Sequence, residues 1–308
     1  MIKGHFFRKD AWGRRLGKRW AVWALAAASA LAPSLARAQT AEYVRFPSLD
    51  NWKGNAPLQL DGYFFRPPGK DRYAAIVMFH GCAGAISEDS GRITSRFIEM
   101  SRLLTGMGYA VLLVDSFNPR GTHQICTTRP SQREIHDRHR VLDAYGALAY
   151  LESRPDVIAG RVGAIGFSHG GTNAVAVMDA TSQAYRQSGR RFAASVSLYP
   201  GCTSLLRKQP EYQAYGPLLV LAGELDDWTR ADRCQALIER SRGRGEPVDI
   251  VVYPGAHHGF DQKTEVRLRT DVTHGRNGTA GVHVGGNPQA RRDAYRRIRE
   301  FFGTHLTP

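Results

Sequence analysis

The chain has 308 residues, of which 42% are hydrophobic and 23% are charged, a composition typical of a globular protein with one large or two smaller domains. Its formal net charge is +14, but residues 1–38 hold eight of the basic residues and one acid, so the remainder carries 34 basic and 27 acidic residues, a net charge of +7. That excess is scattered and no nucleic-acid motif accompanies it, so we expect no nucleic-acid partner.

The first 38 residues have the pattern of a signal peptide. Basic residues up to Arg19 precede an apolar run over 20–32, and Ala36-Arg37-Ala38 fits the small-x-small site that a signal peptidase accepts. The apolar run is short for a membrane span, although an uncleaved anchor helix is the alternative. We therefore predict cleavage after Ala38, no stable membrane span in the mature protein, and a periplasmic or secreted location.

Residues 39–55 are polar and are predicted to lead into a single domain over 56–305. Within it, apolar runs and helical periodicity alternate along the chain. Strands are predicted at 58–65, 73–79, 109–114, 162–167, 192–198, 218–222 and 248–253. Helices are predicted at 92–107, through 141–151, and at 172–180, 230–241 and 290–302. This order predicts an α/β fold, with a doubly wound, mostly parallel sheet of about eight strands flanked by helices. The Gly-, Asn- and Thr-rich stretch 261–288 is predicted to be a long surface loop.

A G-x-S-x-G pentapeptide, Gly166-Phe167-Ser168-His169-Gly170, lies between a predicted strand and a predicted helix. Such a turn is too tight for side chains at the two glycines, strains the backbone at the serine and lifts its hydroxyl clear of the sheet. The N–H groups of the following helix favour negative charge at the same place. Ser168 is therefore a candidate nucleophile, with an ordinary turn serine as the alternative.

A serine nucleophile needs a histidine base and a carboxylate, which in this fold follow the serine in the order Asp or Glu, then His. The strand at 218–222 is followed by Gly-Glu-Leu-Asp-Asp-Trp, which offers Asp226 and Asp227; one of the two is expected to cap the helix at 230–241. The strand at 248–253 is followed by Pro-Gly-Ala-His-His-Gly-Phe, which offers His257 and His258. Both loops follow the carboxyl ends of parallel strands, where open α/β sheets place their sites.

The strand at 73–79 ends in His80-Gly81-Cys82-Ala83-Gly84, whose glycines let backbone N–H groups turn towards the site. We assign an oxyanion hole to the amides of Cys82 and His169. His80 is expected to be a structural histidine that supports its loop, and His169 to be half-exposed and to contribute only its backbone. Arg120, in the polar loop 115–130, is a candidate for binding a substrate carboxylate, with a solvated loop arginine as the alternative.

The four cysteines all lie after residue 38, and an even number in an exported protein suggests disulfides. They contain no C-x-x-C pair and match no zinc site, so no metal is expected. Their loop positions favour Cys82–Cys126 together with Cys202–Cys234 among the three possible pairings; buried free thiols are the alternative.

Four motifs in this order, HGCAG, GFSHGG, GELDDW and YPGAHHGF, resemble those of the dienelactone hydrolase family of α/β-hydrolases, over roughly residues 56–302. The resemblance implies one α/β-hydrolase domain without a large cap, and hydrolysis of small esters or lactones through a covalent intermediate. Matched to the family, Ser168 is the nucleophile, Asp226 the acid and His258 the base. The namesake enzymes carry cysteine at the nucleophile position, so serine here argues against dienelactone itself as substrate.

The predicted function is that of a serine hydrolase that cleaves a small carboxylic ester or lactone through an acyl-enzyme, with no metal or cofactor and a small-molecule substrate as its partner. A peptidase or an acyltransferase could use the same three residues. A non-catalytic secreted binding protein on a hydrolase scaffold is the alternative from a different class.

Overall fold

The computed structural model describes residues 41–69, 71–275 and 281–307, and the predicted signal peptide, residues 1–38, lies outside this part. The described residues form one sheet of eight strands: β1 (Glu42–Pro47), β2 (Gln59–Phe65), β3 (Tyr73–Phe79), β4 (Ala110–Asp115), β5 (Val157–Phe167), β6 (Ser195–Leu198), β7 (Leu218–Gly223) and β8 (Val248–Tyr253). Their order is β1-β2-β4-β3-β5-β6-β7-β8. The β1–β2 and β2–β4 pairs are antiparallel and the other five are parallel, which confirms the predicted α/β sheet.

Helices connect the parallel strands: α1 (Ser95–Gly106), α2 (Asp137–Ser153), α3 (His169–Ala176), α4 (Gln183–Ser188), α5 (Thr203–Lys208) and α6 (Ala231–Arg242). A last helix, α7 (Pro288–His305), comes after the strands of the sheet. Within the described residues, no helix combines the length and the apolar character that crossing a bilayer requires.

The central strand β3 shows how the sheet is covered. All seven of its residues are buried, as expected when helices cover both faces of a parallel sheet. Ala75 and Val77 belong to the apolar core that includes residues of α2, α3 and α6, whereas Ile76 and Met78 belong to the core that includes residues of α1 and α7. The alternation of a strand therefore divides this apolar run between two cores.

Two segments differ from the prediction. Residues 39–55, predicted to be a lead-in outside the domain, contain β1, which pairs with β2 over its whole length. Its burial alternates, with Val44 and Phe46 buried and Tyr43, Arg45 and Pro47 exposed. This period-two pattern is too short to stand out from the polar residues that follow it. Residues 261–288, predicted to be a loop, contain a small antiparallel pair, β9 (Arg267–Arg269) and β10 (Val282–Val284).

The topology places the site. Strands β3, β5, β6, β7 and β8 run parallel, so their carboxyl ends lie along one edge of the sheet. The segments that follow them begin at His80, Ser168, Tyr199, Glu224 and Pro254. The motifs that are far apart in the chain therefore meet at this edge.

Candidate active site

The turn at Ser168 joins β5 directly to α3. Ser168 has φ +55° and ψ −117°, a conformation that is costly for a residue with a side chain and persists only when the surroundings enforce it. A Cβ atom at Gly166 would lie 1.9 Å from the Gly170 carbonyl oxygen, and one at Gly170 would lie 2.3 Å from that of Phe79. Both glycines are therefore required for the close approach of backbone segments that holds Ser168 in this geometry.

The structure brings the three predicted side chains together. His258 Nε2 lies 2.9 Å from Ser168 Oγ, and His258 Nδ1 lies 2.8 Å from Asp226 Oδ2. All three residues are buried. A carboxylate can only accept, so the imidazole carries its proton on Nδ1, and Nε2 is left to accept from the serine hydroxyl.

The carboxylate of Asp226 is held by its own loop. The backbone N–H groups of Trp228 and Thr229 donate to Oδ1 over 2.9 and 2.7 Å, and the Thr229 hydroxyl lies 2.9 Å from Oδ2. Asp227 instead accepts from the backbone N–H and the ring Nδ1 of His283 on β10. The prediction that one of the two aspartates caps α6 is wrong, because the helix begins after Arg230 without a side-chain cap.

Aromatic rings enclose the imidazole of His258. The Trp228 and Tyr199 rings each lie 4.8 Å from it, centroid to centroid. Tyr199 is buried with φ +39°, and its hydroxyl donates to Asp261 over 2.8 Å. The alternative histidine, His257, packs its ring against His283, at 5.3 Å between centroids. The geometry therefore selects His258 as the partner of Ser168.

The two amides assigned to an oxyanion hole belong to adjacent loops. A Cβ atom at Gly81 would lie 3.3 Å from Phe167 O and 3.4 Å from Ser168 Cβ, so the segment before Cys82 runs directly against the turn. In residues 41–69, 71–275 and 281–307, neither the Cys82 nor the His169 backbone N–H donates a hydrogen bond. Both N–H groups remain available for an oxygen of a substrate.

Comparison with known proteins gives the family of the chain. The dienelactone hydrolase family model matches residues 60–306. The chain belongs to this family. It is 24% identical over 206 residues to a probable 2-oxo-3-(5-oxofuran-2-ylidene)propanoate lactonase of Bradyrhizobium sp, covering 65% of this chain and 78% of that protein. The protein is therefore a hydrolase of the dienelactone hydrolase family, similar to lactonases and esterases.

Solved structures show the same fold. A putative dienelactone hydrolase from Klebsiella pneumoniae subsp. pneumoniae MGH 78578 superimposes with a TM-score of 0.58 at 16% identity, covering 86% of this chain and 99% of that one. The dienelactone hydrolase-like promiscuous phosphotriesterase P91, from metagenomic libraries, gives a TM-score of 0.61 at 19% identity, covering 87% and 99%. The predicted α/β-hydrolase fold is confirmed.

The prediction that Arg120 meets a substrate carboxylate needs correction. Its guanidinium is fully buried, and its two Nη atoms donate to Asp143, Asp50 and the Ser116 carbonyl oxygen over 2.7–2.8 Å. The two carboxylates occupy the face that a substrate would need. In this dienelactone hydrolase-family protein, Arg120 ties loop 115–130 to α2 and to the segment after β1.

The two histidines beside the oxyanion amides are both internal. His80 donates from Nδ1 to Gly81 O over 2.7 Å and accepts at Nε2 from the Ser116 N–H over 3.2 Å; burial holds its pKa well below the usual value, so it supports its loop as predicted. The half-exposed position predicted for His169 is wrong. Its side chain is 11% exposed, because α2 packs over the start of α3 and contacts the ring.

Both predicted disulfides are present, Cys82–Cys126 and Cys202–Cys234. The first lies in a small apolar cluster on which Trp228 packs, and the Ile125 N–H donates to Cys82 O over 2.8 Å. Cys82, whose amide is predicted to belong to an oxyanion hole, is thus fixed both covalently and by hydrogen bonding.

Sequence reasoning missed four neighbours of the site: Tyr199, Trp228, Thr229 and Arg140. The first three lie in segments after β6 and β7, so the rule that sites form at carboxyl ends of strands could have found them. Arg140 offered no signal, because an arginine in a helix is ordinarily solvated.

Proposed function

We propose that the protein is a serine hydrolase that cleaves a small carboxylic ester or lactone through an acyl-enzyme. The observation that carries the proposal is the position of the His258 imidazole, which bridges Ser168 Oγ and the Asp226 carboxylate at hydrogen-bond distances. A hydroxyl is a weak nucleophile, and this arrangement supplies the base that activates it.

In the first step, His258 Nε2 takes the proton of Ser168 as its oxygen attacks the carbonyl carbon of the substrate. The carbonyl π electrons move to the oxygen, which becomes the oxyanion of a tetrahedral intermediate. The amides of Cys82 and His169 donate to it. Asp226 stabilises the imidazolium and keeps the ring in the orientation that the reaction needs.

In the second step, the oxyanion electrons re-form the carbonyl and the bond to the leaving oxygen breaks. His258 returns the proton to that oxygen, which gives an alcohol and an acyl-enzyme. A lactone differs only in that the released hydroxyl stays attached to the acyl group. Water, deprotonated by His258, then attacks the acyl carbon, and collapse of the second intermediate frees the acid and restores Ser168.

The surroundings of the site include an apolar wall. Trp228 lies beside the imidazole and also packs on the apolar cluster of the Cys82–Cys126 disulfide, so one side of the reacting centre is apolar and rigid. The lactonase name of the Bradyrhizobium relative supports the ester bond of a lactone ring as one target.

Replacement of the nucleophile tests the proposal. Ser168→Ala is expected to lower kcat on nitrophenyl acetate by about 10⁴-fold or more and to abolish labelling by a fluorophosphonate probe. Ser153→Ala, at the carboxyl end of α2, is the matched control, with unchanged rate and labelling. Nitrophenyl acetate hydrolysis by the Ser168→Ala variant at the wild-type rate would refute the proposal. If the variant is inactive, a panel of esters and lactones tested on the wild-type protein defines its acyl preference.

We also propose that the mature protein starts at Gln39 and is exported. The basic-apolar-small order of residues 1–38 supports export, and two disulfides suit an oxidising compartment. Expression of the full sequence in a Gram-negative host should yield a periplasmic or extracellular product with Gln39 at its N-terminus by mass spectrometry. A cytoplasmic product that retains Met1 would contradict this.

A further inference from the structure

Helix α2 carries an arginine, Arg140, that is buried beneath the loops of the proposed oxyanion hole. The residue is 1% exposed, and its guanidinium carbon lies 5.0 Å from the centre of the Phe117 ring. Arg120 is equally hidden but is paired with two carboxylates. Among the described residues, no carboxylate forms a direct ion pair with Arg140. A charge that is buried without an ion-pair partner lowers the stability of the fold. The hydrogen bonds of Arg140 therefore indicate what it contributes in return.

Those contacts join the two loops that supply the oxyanion amides. Arg140 Nη2 donates to the carbonyl oxygen of His80 over 2.8 Å, and Nη1 donates to the ring Nδ1 of His169 over 2.6 Å. His80 lies two residues before Cys82, and His169 carries the second amide itself. One rigid, planar group therefore spans both halves of the hole.

The His169 ring continues the chain of contacts away from the site. Because its Nδ1 accepts from Arg140, its proton is on Nε2, which lies 3.0 Å from Asp137 Oδ1. Burial lowers the pKa of His169, in keeping with a neutral ring that accepts from Arg140 at Nδ1 and faces the Asp137 carboxylate with Nε2. Burial lowers the pKa of Arg140 to about 10, so the guanidinium is still charged at neutral pH.

Contacts in the first loop carry the effect of Arg140 to the Cys82 amide. Arg140 fixes the His80 carbonyl, and the His80 ring in turn donates to the Gly81 carbonyl oxygen over 2.7 Å. In a planar trans peptide the C=O and N–H groups point in opposite directions. A Gly81 oxygen held by the ring therefore aims the Cys82 N–H the other way.

We propose that Arg140 is the positioning residue of the oxyanion hole, which holds the Cys82 and His169 amides at a fixed spacing and orientation and places a positive charge behind them. This inference rests on the proposed function, since it assumes that Ser168 generates an oxyanion. Arg140 itself touches neither the substrate nor the reacting atoms, so its effect passes through His80 and His169.

Arg140→Met keeps most of the side-chain length and removes both donors and the charge. Loss of one oxyanion donor typically lowers kcat by 10²–10³-fold; displacing both amides without removing them is expected to lower kcat by about 10- to 100-fold, with KM changed by less than about twofold. A boronic acid that forms a tetrahedral adduct with Ser168 should lose affinity by a similar factor, because its adduct needs the same amides. A role in stability alone would lower the melting temperature and leave kcat and the boronate affinity unchanged.

Three further variants make the test more specific. Tyr145→Phe, on the same helix, removes a buried hydrogen bond to Val177 O and should lower stability while leaving kcat and boronate affinity unchanged. His169→Leu keeps the backbone amide but removes one acceptor of Arg140. In a double-mutant cycle, Arg140→Met should therefore lower kcat by a smaller factor in the His169→Leu background than in the wild-type background. If Arg140→Met fails to fold, Arg140→Lys tests the same idea: one ammonium cannot span both acceptors, so kcat should fall by about threefold to tenfold.

The outcomes separate the two proposals. If wild-type enzyme depends on Ser168 but Arg140→Met, or Arg140→Lys in its place, retains the wild-type kcat and boronate affinity, the positioning role is overturned and the proposed function stands. If Ser168→Ala keeps the wild-type rate, the proposed function fails first. A fall in kcat with a matching fall in boronate affinity supports the positioning role.

Discussion

Replacing Asp226 by asparagine should test the proposed mechanism more finely than deleting a side chain. The two side chains have nearly the same shape, but the amide has one acceptor oxygen and one donor nitrogen. Two backbone N–H groups, of Trp228 and Thr229, point at Oδ1, so the amide oxygen has to occupy that position. The amide NH₂ then takes the place of Oδ2, facing His258 Nδ1.

That exchange inverts the hydrogen bonding of the imidazole. An NH₂ group facing Nδ1 forces this nitrogen to accept, and the ring proton moves to Nε2, the atom that has to receive the proton of Ser168. An imidazole in this tautomer cannot act as the base. We expect kcat to fall by about 10⁴-fold, as for the same change in serine proteases, which corresponds to about 5.5 kcal/mol of transition-state stabilisation.

The assay is steady-state hydrolysis of nitrophenyl acetate, with the rate of fluorophosphonate labelling as an independent measure of serine reactivity. Asp227→Asn is the matched control, because Asp227 is the adjacent carboxylate and contacts His283 instead. It should retain kcat within about twofold. The reasoning would be refuted if Asp226→Asn stayed within tenfold of the wild-type rate, and a large loss in Asp227→Asn would identify the wrong carboxylate.

Three smaller predictions follow from the same contacts. Thr229→Val removes the hydroxyl beside the triad carboxylate and should cost about 1 kcal/mol, seen as a threefold to tenfold lower kcat in the nitrophenyl acetate assay; an unchanged kcat would contradict it. Gly170→Ala would place a Cβ 2.3 Å from a backbone oxygen of β3. We expect the variant either to be insoluble and unreactive towards the fluorophosphonate probe or to have a sharply lower melting temperature; a wild-type melting curve would argue against the turn geometry. Cys126→Ser opens a disulfide that closes 44 residues and should cost about 4 kcal/mol of stability in denaturant unfolding. It should also lower kcat more than Cys234→Ser does, because only the former frees the Cys82 loop, and equal kcat values would contradict this.

The strands were predictable where the sheet is covered on both faces. The run at 73–79 matches β3 residue for residue, and the run at 218–222 matches β7 to within one residue, because a strand that is buried on both faces is marked by a continuous apolar run. The convergence of Ser168, Asp226 and His258 was equally accessible, since the carboxyl ends of parallel strands meet at one edge whatever the length of the connections.

The edge strand β1 and the buried arginines were not accessible in this way. β1 has one neighbour and exposes alternate residues, so its signal is short and mixed with charge. Arg120 and Arg140 look alike in the sequence, yet one is paired with two aspartates and the other supports a loop and a histidine. Their roles depend on how α2 packs against loops from distant parts of the chain, which no local pattern encodes.

Trapping the acyl-enzyme tests the central claim most directly. Wild-type protein mixed with nitrophenyl acetate and quenched in acid during turnover should carry one acetyl group on the peptide that contains Ser168, and the His258→Ala variant should carry almost none. Steady hydrolysis with no acetyl group on Ser168, or with the acetyl group on another residue, would contradict a mechanism in which the hydroxyl of Ser168 attacks with the help of His258.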